Sequence, residues 1–180
     1  MKILLSCFFI ILLNLSPLHS QIQKGDNLLG ASVGFWVKGS VPMLGLNFES
    51  HVADLGSGTI GLGGLFRYYS YTNDYPNGDS RKYTFTSFGF QANYNFTQIG
   101  DGKFVPYLGL VLGYNNISNT YTDVTKHGVY ITDVSYTSGA WLWGQAGMRY
   151  FFSPKFAGTV RLGFGNNDFN TLELGIDFKL

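Results

Sequence analysis

The chain has 180 residues, of which 13% are charged and 17% are aromatic, and glycine occupies 24 positions. A disordered tail would be richer in charge and poorer in aromatic residues, and a helical bundle would not carry this much Gly, Tyr, Asn and Thr, which form helices poorly. With 12 basic and 11 acidic residues the formal net charge is +1, so we expect no field strong enough to attract nucleic acid.

The first twenty residues have the layout of a secretory signal peptide. Lys2 precedes an apolar run from Ile3 to Leu13, and the more polar stretch that follows ends in the small residue Ser20. The run is too short to cross a bilayer as a helix, which takes about 20 residues. We therefore expect residues 1–20 to be removed after export and residues 21–180 to form one domain. The single cysteine of the chain lies in the leader, so the mature domain can form no disulfide.

Apolar and polar residues alternate in eight segments of about ten residues, separated by turn residues, from Asn27 onward. Alternation of period two places one set of side chains on each face of a β-strand. In the last segment the apolar set is Leu172, Leu174, Ile176, Phe178 and Leu180. The charged residues of the eight segments all belong to the polar set: Lys38, Glu49, Arg67, Arg149, Arg161, Glu173, Asp177 and Lys179.

Two environments produce such alternation, namely a barrel in water with its apolar face inside and a barrel in a membrane with its apolar face outside. Aromatic residues near the ends of the apolar stripes favour the membrane, because rings gather at its two water boundaries. These are Phe35, Tyr68, Tyr94, Phe96, Tyr114, Tyr150, Phe152, Phe156 and Phe178. The sequence therefore predicts an all-β fold, a closed eight-stranded antiparallel up-and-down transmembrane barrel.

The connections between the segments predict the orientation of this barrel. The two longest, Thr72–Arg81 and Asn116–Ser135, are the third and the fifth of seven, so both lie at the same rim. Long loops on one rim and short turns on the other are the arrangement of outer-membrane barrels, whose long loops lie outside the cell.

The chain resembles the small eight-stranded outer-membrane barrels, the OmpA/OmpX-like barrel domain of the "porin family". The resemblance is carried by Phe104-Val105-Pro106-Tyr107-Leu108-Gly109 with Gly113-Tyr114, by Gly144-Gln145-Ala146-Gly147-Met148-Arg149-Tyr150, and by the closing segment Leu172–Leu180. It implies a monomer in the bacterial outer membrane, in contact with lipid and lipopolysaccharide. It also implies that the barrel-insertion machinery reads the C-terminal strand. That family usually ends in an aromatic residue, whereas here Leu180 is last and the aromatic residue is Phe178.

The charged residues of the polar faces would be enclosed in a barrel of eight strands, whose interior is just filled by side chains. Buried charges need partners, so we expect an interior network of Glu49, Arg67, Arg149, Arg161, Glu173 and Asp177. Such a network serves either as a packed structural core or as a narrow path for ions or protons. An open nutrient pore is not expected, because wide lumens belong to barrels of 16 or more strands.

Two other classes of function stay open at this stage. A lipid-modifying enzyme would need a serine, a histidine and a carboxylate together. Glu49, Ser50 and His51 have the right side chains, but period two puts Ser50 on the opposite face, and His127 lies in the fifth connection. We therefore predict no catalytic, metal-binding or cofactor-binding residues. A soluble barrel for a small apolar ligand would instead bury Leu174 and Ile176.

The long connections are the remaining candidates for function. Tyr71, Tyr75, Tyr121 and Tyr130 lie in or beside them, with Asn and Thr between. Tyrosine among small polar residues makes adaptable contact surfaces. We expect contacts with an extracellular ligand there and a structural, adhesive or surface-interaction role.

Overall fold

Eight strands follow one another along the chain, and each pairs antiparallel with the next. The computed structural model describes residues 22–36, 41–74, 80–99, 102–122, 138–165 and 170–180. The strands are β1 Asn27–Trp36, β2 Val41–Leu55, β3 Gly58–Asp74, β4 Ser80–Asn95, β5 Phe104–Thr122, β6 Gly139–Ser153, β7 Phe156–Gly165 and β8 Thr171–Lys179. Because β1 also pairs with β8, from Leu28 opposite Lys179 to Trp36 opposite Thr171, the barrel is closed. The predicted fold class is confirmed.

The apolar face of the sheet points outward. Leu174 and Ile176 of β8 are 54% and 52% exposed, whereas Glu173 and Asp177 between them are buried. A protein in water would not leave rows of large apolar side chains exposed around its whole circumference. The soluble small-ligand barrel is therefore excluded, and the outer surface is suited to lipid.

Aromatic rings lie at the two ends of this apolar surface. At the end of the barrel where β6 connects to β7, Tyr150 packs against Phe152 at 5.3 Å and Phe156 packs against Phe178 at 5.6 Å, both edge to face. Tyr114, the last aromatic residue of the outward stripe of β5 before the exposed polar residue Asn116, is also exposed. Rings at these two levels match the boundaries of a membrane, where aromatic side chains are enriched.

Strand pairing continues further than the sequence pattern predicted. Part of the predicted connection Thr72–Arg81 is strand, because Thr72 pairs with Lys82 and Asp74 pairs with Ser80. β5 likewise continues to Thr122. Polar residues beyond the membrane still satisfy their backbone hydrogen bonds by pairing with one another. The two connections are therefore shorter than predicted, at residues 75–79 and 123–138.

We call the end of the barrel with these two connections the long-connection end and the opposite end the short-turn end. At the short-turn end residues 56–57 join β2 to β3, and residues 154–155 join β6 to β7. A membrane crossing takes about 9–11 strand residues, whereas β3, β4 and β5 have 17, 16 and 19. These three strands therefore extend past the apolar surface at the long-connection end.

The predicted signal peptide, residues 1–20, lies outside the described residues. Over the described part of the chain, no helix is both long and apolar enough to cross a membrane.

Leu174→Arg tests the assignment of the outer face to lipid. A guanidinium at this mid-strand position would lie in the hydrocarbon, so the free energy of unfolding should fall by about 2–4 kcal/mol. Denaturant titration of the protein refolded into lipid vesicles measures the change. Thr72→Arg, on the extended part of β3, is the control and should leave the stability nearly unchanged. Equal effects of the two substitutions would argue against a lipid-facing Leu174.

Candidate functional site in the barrel lumen

Six charged side chains lie inside the barrel. These side chains are those of Glu49, Arg67, Arg149, Arg161, Glu173 and Asp177. Each is buried, with only 1% to 2% of its surface exposed. Each comes from the inward face of its strand, as the alternation of the sequence requires. They form two groups, one above the other along the barrel axis.

The upper group, toward the long-connection end, joins two arginines to one carboxylate. Arg67 binds Glu173 in a bidentate manner, with Nε 2.9 Å from Oε1 and Nη2 2.8 Å from Oε2. Nη1 of Arg161 lies 3.4 Å from Oε2 of the same carboxylate, and the Ser32 hydroxyl donates to it at 2.9 Å. Asn47 accepts hydrogen bonds from both guanidinium groups through Oδ1. Planar guanidinium groups suit this two-pronged contact.

The lower group joins one arginine to two carboxylates. Arg149 donates from Nη2 to Glu49 at 2.6 Å and from Nε to Asp177 at 2.7 Å. Its third nitrogen, Nη1, donates to Oδ1 of Asn95 at 2.6 Å. The Glu49 carboxylate also accepts from the Asn95 amide at 2.7 Å, and Nε2 of His51 lies 3.3 Å from it.

Tyr107 connects the two groups. Its hydroxyl accepts a hydrogen bond from Nε of Arg161 at 2.9 Å, and the guanidinium of Arg149 lies over its ring, 4.4 Å from the centroid. A cation over an aromatic face is attracted by the electrons of the ring. The alternation along β5 puts Tyr107 on the inward face, but the spacing of the sequence does not say which arginines lie opposite it.

Apolar side chains close the lumen above and below the charged groups. Two clusters lie toward the long-connection end: Val41, Met43, Tyr69, Tyr83 and Phe85, and Leu65, Val111, Trp141 and Trp143. A third lies at the short-turn end: Ile22, Leu28, Val105, Phe151 and Ala157. The sequence reading emphasised the ionic content of the interior and missed these layers. These layers could have been predicted, because some aromatic and aliphatic residues alternate in step with the polar residues and must therefore also point inward.

The N-terminal segment helps to close the short-turn end. Ile22 is buried in the third cluster, and the backbone N–H of Gly25 donates to the carbonyl of His51 at 2.7 Å. Asp26 is held by an ion pair with Lys179 at 2.6 Å. Its carbonyl also accepts from the backbone N–H of His51 at 2.9 Å. Residues 22–26 are thus tied to both β2 and β8.

Glycines make room for the large side chains inside. A Cβ at Gly61 would overlap the Glu49 carboxylate, and a Cβ at Gly163 would overlap the indole ring of Trp143. A glycine facing a large side chain is a common way to fill a narrow barrel.

The residues considered for catalysis do not assemble into a triad in the described part of the chain. Glu49 and His51 are buried in the lumen and contact each other, whereas Ser50 lies on the outer face of β2, only partly buried. His127 lies outside the described residues.

The four tyrosines predicted for the loops are placed differently from one another. Tyr71 lies within β3, half-buried, and its ring stacks on those of Tyr83 and Phe85 at 5.3 and 6.1 Å. For Tyr121 the structure describes the backbone, which pairs with Arg81 of β4. Tyr75 and Tyr130 lie outside the described residues.

The fold is similar to those of solved membrane barrels with which the sequence shares little. OprG, an outer membrane protein of Pseudomonas aeruginosa, matches with a TM-score of 0.57 at 12% identity, over 89% of this chain and 99% of its own. Ail, the attachment invasion locus protein of Yersinia pestis, solved with the heparin analogue sucrose octasulfate, matches with a TM-score of 0.55 at 12% identity, over 88% and 100%.

A barrel from a study of de novo designed transmembrane β-barrels matches with a TM-score of 0.59 at 15% identity, over 88% of this chain and 98% of its own. No protein-family model and no curated protein matches the sequence. At these identities the likeness concerns the fold alone. The chain has the fold of the small eight-stranded outer-membrane barrels, as the sequence resemblance predicted.

Arg149→Met tests the importance of the lower charged group. The substitution keeps most of the side-chain volume but leaves two buried carboxylates without their cation, so the free energy of unfolding should fall by about 3–5 kcal/mol. Denaturant titration of the folded barrel in detergent measures the loss. The matched variant adds Glu49→Gln and Asp177→Asn, which removes the unpaired charge, and it should regain most of the stability. If the single and triple variants were equally unstable, charge pairing would not be the cause.

Proposed function

We propose that this chain is a monomeric, non-catalytic outer-membrane barrel with a sealed lumen, which acts at the cell surface through its outer extension. We define the outer extension as residues 70–74 of β3, 80–84 of β4 and 118–122 of β5. The role is adhesive or surface-interacting, and the barrel is its anchor. The protein reaches the outer membrane after removal of residues 1–20, its lipid neighbours being phospholipid and lipopolysaccharide.

Anchoring in the outer membrane is supported by the outward apolar face and by the fold. Charged side chains of the eight strands point inward or lie near the strand ends, while the middle of the outer surface carries residues such as Leu110 and Leu174. This distribution is the reverse of that in a protein surrounded by water. The closing strand β8, with Phe178 near its end, is the segment we assign to recognition by the insertion machinery.

A sealed lumen is supported by the three apolar clusters. Paired charges occupy the middle of the barrel, and buried apolar side chains, among them Phe85 above and Phe151 below, lie on either side of them. Apolar constrictions oppose the passage of hydrated ions. We therefore assign the six charged residues a structural role and propose no path for nutrients, ions or protons.

The outer extension is the observation that carries the proposal. Its three paired segments continue five residues each along β3, β4 and β5, a length of about 17 Å at the usual rise per strand residue. Ser, Thr, Asn and Tyr dominate it, with Arg81 and Lys82 on the central strand. Its exposed side chains are mostly small and polar, among them Thr72, Asn73 and Asn119, whereas Tyr83 is buried.

The likeness to Ail supports adhesion as the specific role. That protein is an attachment invasion locus protein and was solved with a sulfated heparin analogue. Here the exposed cationic residue Lys82 of the outer extension offers a partner for sulfate groups on a polysaccharide. We therefore name a sulfated polysaccharide as the first extracellular ligand to test.

Trimming the outer extension tests the surface role. Residues 73–81 are replaced by Asn-Gly, which closes the hairpin after the Thr72–Lys82 pair with a two-residue turn. Bacteria that display the full chain should adhere to a heparin-coated surface more strongly than bacteria with an empty vector. The trimmed variant should lose most of this difference, because the ends of β3 and β4 in the outer extension are removed.

The control is Lys155→Ala in a turn at the opposite end, which removes a cation without touching the outer extension. Membrane fractionation and heat-modifiable gel mobility establish that all variants are inserted in equal amounts. Undiminished adhesion of the trimmed variant would contradict the surface role. A soluble periplasmic product would contradict the anchoring.

Mass analysis of lipid A tests the non-catalytic part of the proposal. In the described chain Ser50 lies on the opposite face of β2 from Glu49 and His51. We therefore expect the same lipid A species with and without the gene. Appearance of a deacylated or newly acylated species that depends on the gene would contradict the assignment. His51→Ala is the variant to compare in that event.

A further inference from the structure

A small cavity lies in the upper lumen, just above the Arg67 guanidinium. Its volume is about 30 Å³, and its wall includes Arg67, Trp141, Trp143 and Thr171. All four side chains are at least nine-tenths buried. A cavity needs about 10–15 Å³ to hold one water-sized species, so this one accepts one or two and is too small for a sugar or an acyl chain.

Three of the residues that line this cavity each carry a polar atom without a hydrogen-bond partner in the described chain. Within the described chain, the indole nitrogens of Trp141 and Trp143 and the hydroxyl of Thr171 are buried and have no hydrogen-bond partner. An indole N–H can only donate, and a hydroxyl can donate as well. Buried polar groups are nearly always hydrogen-bonded, so the cavity calls for an occupant that accepts several hydrogen bonds.

The charges nearest the cavity are unbalanced. In the upper group two guanidinium groups, Arg67 and Arg161, face the one carboxylate of Glu173, which leaves a formal charge of +1. Nη2 of Arg161 is also buried without a partner in the described chain. Guanidinium groups stay protonated in proteins, so the excess positive charge cannot be lost by deprotonation.

The lower group has the opposite imbalance. There the single Arg149 faces Glu49 and Asp177. Asp177 of the lower group also attracts Arg161, so the six charges balance over the lumen as a whole, and the positive excess of the upper group is a local one.

We propose that the cavity binds one small monovalent anion, of the size of chloride, held by Trp141, Trp143 and Thr171 beside Arg67. An anion accepts hydrogen bonds from the unpartnered donors and also neutralises the local positive charge of the upper group. A water molecule would accept the hydrogen bonds but would leave that positive charge unneutralised. A ligand that binds only the folded state stabilises it in proportion to its concentration. The anion is therefore a structural component of the lumen, independent of any surface role.

The first experiment compares salts on the full mature barrel, refolded in detergent. Its unfolding midpoint is measured against sodium chloride and sodium bromide, with sodium gluconate at matched ionic strength as the reference, because gluconate is too large for the cavity. We expect the two halides to raise the midpoint with saturation and gluconate not to. Bromide-soaked crystals should show one anomalous peak between the two indole nitrogens and Thr171. Equal midpoints in all salts, or a peak absent from the cavity, would overturn the proposal.

Substitutions distinguish anion binding in the cavity from a general effect of salt on the unfolding midpoint. Thr171→Val and Trp143→Phe each remove one donor while keeping the shape, and each should weaken the halide dependence of the midpoint. Thr159→Val is the matched control, because its hydroxyl is also buried without a partner in the described chain but pairs in register with Arg149 of the lower group. It should leave the halide dependence unchanged. A full halide dependence in Thr171→Val and Trp143→Phe, or its loss in Thr159→Val, would show that the halide acts outside this cavity and would overturn the proposal.

Discussion

The pairing of charges inside the barrel is the constraint on which the rest of the structure depends. Because lipid takes the apolar face, the polar face of every strand must point into a lumen with little room for water. Three arginines and three carboxylates meet there, and each guanidinium lies within contact distance of at least one carboxylate. Buried charge without a partner is strongly destabilising, so these contacts hold together strands that face one another across the lumen.

The size of the barrel then follows from the way its lumen is filled. Tyr107 lies between the two charged groups, and the indole of Trp143 occupies space that is free only because residue 163 is glycine. Large side chains on some strands are matched by glycine on their neighbours. A barrel of eight strands packed in this way has a core like that of a soluble protein, although its outer surface is apolar. The two ends of that core are apolar, which distinguishes it from a lumen that is polar throughout.

The three parts of the molecule therefore have separate tasks. The outer surface is suited to lipid, the lumen is filled by paired charges and apolar layers, and we propose that the outer extension carries the contacts with the surroundings. Similar folds with 12% to 15% identity are consistent with this division, because a barrel needs only the alternation and a filled interior. Fold alone therefore does not determine function.

Period-two alternation was enough to predict eight strands, their order, the closed barrel and the inward side of residues such as Glu49 and Arg149, since a strand has only two faces. It did not predict strand ends, because the polar residues 72–74 and 116–122 look like loop until cross-strand pairing is known. Which charges meet was also decided by the tertiary structure. Arg149 reaches Asp177 from two strands away, across the lumen, and the stagger of the strands that permits this contact is set by packing and not by local sequence. The apolar layers and the cavity beside Trp143 depend on the same stagger, which brings together residues far apart in the chain.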